Sequence, residues 1–399
     1  MRRDSVVAVT RRVLDQIEAG GPEACGSARS EPGSVFVDRD RFLAERAMMR
    51  RVPHVVGWVA EVAHPGDFTT KDVAGVPVLV VRDGDGVLRA FLNACAHRGS
   101  QVATGCGSTA RFTCPYHSWS YRPDGRLVGV PARDMFADVD LADIGLRPLP
   151  VSERSGLISV GLDPAVDPAP LLDGVVDELA GFAFDSYAPF ESRTFAVAAN
   201  WKLAVDVNFE GYHFSALHRA SLNEMATNHS AFDTFGPHCR WVFPFRGIEA
   251  LAGKAEEDWP DVFDGTVVYG LFPSCVLIEA AGISQILRVY PGREPGESIV
   301  TLSAAAHVAF PQERRDDLVA GYEIAYDLLR GEDFPAAESC QRGFAGGLER
   351  MVIGRNEPLI QHLHAAWDSA VDHDVDPSSV VISVPELEPV RPGVARPWS

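Results

Sequence analysis

Two short stretches of this chain carry residue types and spacings that could do chemistry. The first is Cys95-Ala-His97-Arg98-Gly99, followed by Cys114-Pro-Tyr-His117-Ser118-Trp119. Each half offers one thiolate and one imidazole. That donor set suits a two-iron, two-sulfide cluster in which two cysteines hold one iron and two histidines hold the other. A structural Cys2His2 zinc site is the competing reading, but it groups its cysteines in one knuckle and its histidines in the other. Here both knuckles are mixed. The second knuckle leads into Trp119-Ser-Tyr-Arg-Pro-Asp-Gly-Arg-Leu127, which reads as strand, turn, strand. Two similar loops are therefore expected to face each other at the tip of a small sheet.

The second stretch runs from Trp201 to His218 and contains Asp206, Asn208, Glu210, Tyr212, His213 and His218. Two imidazoles and a carboxylate on one face of a metal form the facial triad of non-heme Fe(II) oxygenases, with positions left open for oxygen and substrate. The spacing of His213 and His218 sets a condition. On a regular helix five residues turn through roughly 140°, so both rings reach one ion only where the helix bends or ends between them. Read alone, the two histidines equally suit packed or surface positions, and Glu210 an exposed carboxylate.

Cys-x-His-Arg-Gly, Cys-Pro-Tyr-His-x-Trp and the following Asp-Gly-x-Leu closely resemble the Rieske domain of the ring-hydroxylating, Rieske-type non-heme iron oxygenases. Ser118 stands where that family usually has glycine. The resemblance extends through Asn200-Trp201-Lys202 and the histidines after it to Glu332-Asp333-Phe-Pro-Ala-Ala-Glu338 near the C-terminal end. It implies Cys95 and Cys114 on the inner iron and His97 and His117 on the outer one. It implies His213, His218 and Asp333 on a mononuclear iron, with Glu332 as the fallback carboxylate. The competing role for Asp333 is a helix cap, because Pro335 suits a first helical turn. Glu210, with Asn208 and Tyr212 beside it, is expected in the catalytic machinery, Glu210 bridging a cluster histidine of a neighbouring subunit to an iron histidine. Glutamate there resembles the branch acting on quaternary ammonium compounds, whereas ring dihydroxylases mostly carry aspartate. That branch usually has Asn and an aromatic where this chain has Val207 and Asn208.

The resemblance further implies a terminal oxygenase component that hydroxylates, or demethylates through hydroxylation, a small aromatic or quaternary ammonium substrate with O2. Electrons from NAD(P)H would arrive through a separate reductase or ferredoxin, and a head-to-tail homotrimer would bring cluster and iron together. The alternatives are an electron-transfer or ligand-binding protein without oxygen chemistry, and a zinc hydrolase. No glycine-rich dinucleotide fingerprint follows a strand, and Asp83-Gly-Asp-Gly86 reads as a turn.

Four segments would position these residues. Residues 1–45 are expected to supply helices packed on the catalytic domain, with Val6, Val9, Val13, Leu14 and Ile17 on one face after a Ser5 cap. Residues 46–155 alternate as short strands and are expected to form a small all-β domain, the Rieske [2Fe–2S] domain that the resemblance implies. Residues 156–373 mix strand runs (194–199, 240–245, 275–279, 284–290, 299–310) with helices near 318–329 and 358–368, giving a catalytic domain of helices on an antiparallel sheet, helix-grip-like, so that the whole is α+β. Residues 374–399 are a proline-rich tail. Phe209, Phe214, Leu217, Tyr269, Phe272, Cys275, Ile278 and Ile286 are candidates for an apolar pocket, and Glu279 for a counter-charge to a cationic substrate; core packing and a surface ion pair are the plainer alternatives.

A formal charge of -19 over 399 residues opposes binding to nucleic acid or an anionic membrane, whose phosphates would be repelled. Seven cysteines without a regular framework fit a reducing cytoplasm. No signal-peptide core and no run approaching 18 apolar residues is present.

Overall fold

A computed structural model describes the chain except for residues 22, 281, 373–386 and 389–399. The tail expected over 374–399 thus lies outside the described residues, apart from the two-residue strand Leu387–Glu388. The chain divides into two units. One comprises Ala47–Asp173 and Ala183–Pro189; the other comprises Met1–Arg46, Gly174–Phe182 and Phe190–Ser399. The boundary expected after residue 155 is displaced because Leu157–Val160 pairs with both His54–Trp58 and Val151–Arg154. Residues up to Asp173 therefore remain with the smaller unit.

The smaller unit is built of short antiparallel strands. Its five-stranded sheet has the order 148–149, 88–92, 76–82, 67–73, 106–108, and a three-stranded sheet joins 127–129, 120–121 and 112–113. The Asp83–Gly86 segment is the expected turn: Gly86 N–H donates to the Asp83 carbonyl, and the Asp83 carboxylate accepts from the N–H groups of Asp85 and Val87. Leu79, Val81, Phe91, Phe112, Trp119 and Tyr121 form a core that also contains Cys95 and Cys114. The knuckles are equivalent loops. Gly99 N–H donates to the Cys95 carbonyl at 2.8 Å, and Ser118 N–H donates to the Cys114 carbonyl at 2.9 Å. Both fourth positions are left-handed, with φ 77° at Gly99 and 60° at Ser118. Glycine adopts that conformation without a Cβ clash, so Ser118 accepts strain where the family uses glycine.

The larger unit starts with helix α1, Arg3–Ala19, which buries Val6, Val9 and Val13. It begins before the cap expected at Ser5, whose hydroxyl instead donates to Glu178. Helix α2 spans Arg39–Arg51 and helix α3 Trp201–Asp206. The sheet contains β1 (Tyr187–Val197), β2 (Ala231–Phe235), β3 (His238–Pro244), β4 (Gly265–Leu271), β5 (Cys275–Ala280), β6 (Ile283–Pro291) and β7 (Ser298–His307), in the order β1-β7-β6-β5-β4-β3-β2. All pairings from β2 through β7 are antiparallel. Strands β2 and β4 lie outside the expected strand runs. Helix α4 (Arg315–Leu328), helix α5 (Phe334–Ala345) and helix α6 (Pro358–Asp372) complete the unit. Among the described residues no helix is long and apolar enough to cross a membrane.

The two faces of the large sheet differ. On one, Phe214 packs on Trp241 at 5.7 Å and on Phe243 at 5.2 Å between ring centroids, and Phe209 and the Cys239 sulfur both approach Gly270. On the other, Arg240 binds Glu178 and Asp233, and Tyr269 meets Phe182. Residues alternate between these faces along each strand.

Candidate metal centres

The loop that carries His213 and His218 owes its shape to where α3 stops. Asn200 caps the helix start by accepting from Lys202 N–H. At the other end the Asn208 amide donates to the carbonyls of Ala204 and Val205 at 3.1 and 3.2 Å. The chain then leaves helical geometry, so the helix has ended before either histidine is reached and the angular spacing of a regular helix no longer separates them. This corrects the expected helical run from Trp201 to His218. Asn208, expected among the catalytic groups, spends its amide on ending α3, and Tyr212 is 51% exposed.

Glu210 turns back on its own loop. One carboxylate oxygen accepts the Tyr212 and His213 N–H groups, and the other faces His213 Nδ1. His218 Nδ1 meets Glu332 Oε2 at 2.8 Å, and the Ser221 hydroxyl donates to the same oxygen at 2.9 Å. Both imidazoles thus hold a proton on Nδ1 against a carboxylate, and their Nε2 lone pairs are left for a third group. That group is Asp333, whose Oδ1 lies 3.6 Å from His213 Nε2 and 3.0 Å from His218 Nε2. The three ligand atoms lie within 4.8 Å of one another.

Asp333 reaches this point from a π-turn, Leu329–Asp333, between α4 and α5. It precedes Phe334 and Pro335 at the start of α5, yet its side chain makes no capping hydrogen bond. The cap reading is thereby set aside. Its Oδ1 is buried with no hydrogen-bond partner. Two nitrogen lone pairs and a carboxylate oxygen converging without protons repel one another until a cation sits between them. Adjacent ligands about 2.1 Å from a six-coordinate ion stand roughly 3 Å apart, so the donors fit a divalent metal. Without a metal the same crowding appears as proton affinity: burial opposes a charge on His218, but Asp333 and Glu332 outweigh it and raise its pKa above the usual imidazole value.

The knuckles of the smaller unit also fit their group. Cys95 and Cys114 are buried, whereas Tyr116 is exposed. Burial disfavours the Cys114 thiolate, but the N–H groups of Tyr116 and His117 outweigh that and hold the thiol below its ordinary value. Burial pushes Cys239 and Cys275 up to about 12, and at Cys239 a single backbone hydrogen bond from Gly270 offsets only part of it. His97 Nδ1 is buried and has no hydrogen-bond partner, as a metal-binding nitrogen requires. The His97 ring stacks on Trp119 at 5.0 Å and stands edge-on to His117 at 4.6 Å. Tyr121, which was not singled out in the sequence, places its hydroxyl 3.1 Å from Cys95 Sγ while accepting from Ala96 N–H at 3.0 Å.

Residues 52–143 match the profile of the Rieske [2Fe–2S] domain, and residues 184–373 match that of the ring-hydroxylating α subunit catalytic domain. The chloroplastic choline monooxygenase of Beta vulgaris is 32% identical over 78% of this chain and 70% of its own length. The chain belongs to the Rieske-type ring-hydroxylating oxygenases. The glycine betaine monooxygenase oxygenase subunit of Chromohalobacter salexigens is 36% identical, over 43% of this chain and 38% of its own length. The carnitine monooxygenase oxygenase subunit of Escherichia coli K12 is 28% identical over 84% and 91%. Among solved structures, a quaternary ammonium Rieske monooxygenase in complex with L-carnitine superposes with a TM-score of 0.71 at 21% identity, covering 86% of this chain and 95% of the other. Naphthalene 1,2-dioxygenase from Rhodococcus sp. gives 0.73 at 19% identity, covering 93% and 99%. The fold is thus shared with enzymes named for quite different substrates. This Rieske oxygenase has as cofactors a [2Fe–2S] cluster and a mononuclear iron.

Several pocket candidates are reassigned by strand register. Phe209, Phe214 and Ile278 lie on the face that meets the His213 loop, Ile278 through its pairing with Val268 opposite Trp241. Tyr269, Cys275 and Ile286 alternate to the far face, as does Glu279, which therefore offers no counter-charge on the iron side. Phe272 precedes the cis peptide to Pro273, and Leu217 is 36% exposed. Glu332, the fallback ligand, orients His218 instead. Ser221 was missed, since only the fold brings its hydroxyl to Glu332.

Proposed function

We propose that this Rieske oxygenase is the terminal component of a multi-component system that hydroxylates a small quaternary ammonium substrate. Cys95, Cys114, His97 and His117 would hold the cluster, the smaller unit acting as the Rieske domain. His213, His218 and Asp333 would hold the iron in the larger, catalytic unit. The observation that carries the reading is the convergence of two Nε2 lone pairs and an unpartnered Asp333 Oδ1. A plain electron carrier has no use for it. When bound, the metal groups supply electron storage and oxygen activation.

The chain's own residues fix the donors. Glu210 and Glu332 each hold a proton on an Nδ1 and thereby set ring tautomer and orientation. Tyr121 donates toward Cys95, and Trp119 covers His97. In the head-to-tail homotrimer that the family resemblance implies, Glu210 would also link His213 to a cluster histidine of the next protomer. The glutamate at this position and the choline, betaine and carnitine monooxygenases among the relatives favour a quaternary ammonium substrate. The electron donor would be a separate reductase or ferredoxin fed by NAD(P)H. A cytoplasmic location suits the seven free cysteines.

The test is iron and sulfide analysis of anaerobically purified protein, joined to substrate-dependent oxygen uptake with a reductase. About three irons and two sulfides per chain are expected. Zinc without sulfide overturns the proposal. Uptake driven by aromatic acids and not by quaternary ammonium compounds overturns the substrate class alone.

A further inference from the structure

The sheet face that meets the His213 loop carries three polar groups without a partner among the described residues. Phe232, Trp241, Val268, Ile278, Gln285 and Ala304 form one row across β2, β3, β4, β5, β6 and β7. Gln285 is 8% exposed, and its amide makes no hydrogen bond to any described residue. Thr266, in the next row, is 7% exposed and likewise has no hydroxyl partner among them. Trp241 is 3% exposed, and its Nε1 is buried without a partner.

A glutamine in the middle of a buried, otherwise apolar sheet face is costly unless something hydrogen-bonds to it. The indole points the same way. Trp241 Cζ2 lies 3.3 Å from where a Cβ on Gly211 would stand, and Nε1 shares that ring edge. The unpartnered N–H therefore borders the loop between Glu210 and Tyr212. Trp241 and Gln285 stand three strand spacings apart, roughly 14 Å between backbones. Neither row contains an acidic or basic residue; Arg240, Glu279 and Arg288 belong to the opposite face.

We infer that Gln285 and Trp241 are specificity-determining residues that bind a hydrogen-bond acceptor of the substrate, a carboxylate or hydroxyl oxygen. The inference rests on the proposed quaternary ammonium reading for the substrate's other end. With no carboxylate on this face, the cationic end lies against the Phe214, Trp241 and Phe243 rings, which attract a positive charge through their π faces. The substrate is then a trimethylammonium compound with an oxygen acceptor a few bonds from nitrogen. A site built to hydrogen-bond such an atom rejects the analogue without it, because its own donors would stay buried and unpaired.

The test is equilibrium binding to the holoenzyme of glycine betaine, choline and tetramethylammonium. Wild type should prefer an acceptor-bearing cation to tetramethylammonium by at least ~10-fold. Gln285→Met should shrink that preference ~10- to 100-fold, the strength of a hydrogen bond to a charged or polar acceptor, with tetramethylammonium affinity retained. Trp241→Phe keeps the ring face and removes only the N–H, so it should act in the same direction should Gln285→Met fail to hold iron. Variants that keep the wild-type preference overturn the inference. Benzoate against benzene separates it from the substrate-class reading. A preference there that the same variants lose, with no binding of the cations, sinks the quaternary ammonium class and leaves the role of Gln285 standing. No acceptor preference in either series overturns the role itself.

Discussion

A histidine serves a metal through one nitrogen only when the other is held, and here the holders are carboxylates on both rings. Glu332 is the more informative of the two. It neighbours Asp333 and is the fallback ligand on sequence alone; in the fold Glu332 accepts from His218 Nδ1 and Asp333 faces its Nε2. Glu332→Ala should leave the cluster spectrum intact and weaken iron retention about 10- to 100-fold, read by competition with a chelator. Unchanged retention would mean that Ser221 and packing suffice to orient the ring. Glu210→Gln keeps an oxygen to accept from the loop N–H groups but removes the charge facing His213. Iron and cluster content should stay near wild type while electron transfer slows in a single-turnover experiment, and a normal rate would count against the bridging role. The cysteine and histidine knuckles needed no fold to be recognised, because a mixed Cys-x-His pair repeated within a short span has few other uses.

At the scale of elements, two irregularities make the iron site. One is the early end of α3, which lets two histidines five apart share an ion. The other is the π-turn at Leu329–Asp333. Such turns insert one residue into a helix and often mark functional positions. Deleting Gly331 should close the π-turn into α-geometry and re-aim the side chains within it. Asp333 would leave the triad, and iron should fall from about three to about two per chain with sulfide unchanged. Hydrophobic periodicity found α4 and α6, but an inserted residue leaves no mark in that pattern, so the turn was invisible beforehand. The start of α3 depends on α2: buried Glu45 accepts from Lys202 Nζ at 2.6 Å and from Trp201 Nε1 at 2.8 Å. Burial lowers the Lys202 pKa, with Glu45 opposing it. Glu45→Ala should cost about 3–5 kcal/mol in denaturant unfolding by stranding that ammonium. Glu45→Leu with Lys202→Met should recover most of the loss, which a purely steric role for Glu45 would not allow.

For the molecule as a whole, stability should depend on acid through a residue outside both metal centres. Burial lowers the His362 pKa to about 4, with the backbone at His238 and Gly236 offsetting part of the effect. Between the ordinary value of 6.5 and about 4 the unfolded chain takes up a proton that the native state refuses. Stability is therefore lost as pH falls through that window, on the order of 3 kcal/mol in full. Unfolding midpoints from pH 7 to 4 should drop less for His362→Gln than for wild type, and parallel curves would assign the acid sensitivity elsewhere. The sequence by itself determined the donor types of both centres, the all-β and mixed character of the two parts, and Asp333 as the carboxylate candidate, because these follow from motif chemistry and local periodicity. Only the tertiary structure decided which acid orients and which faces the metal site. It also decided that Asn208 ends a helix, that Glu279 lies on the wrong face, and that Trp241 and Gln285 share the right one. Each depends on strand register or a single-residue irregularity, and contacts between residues far apart in sequence set both.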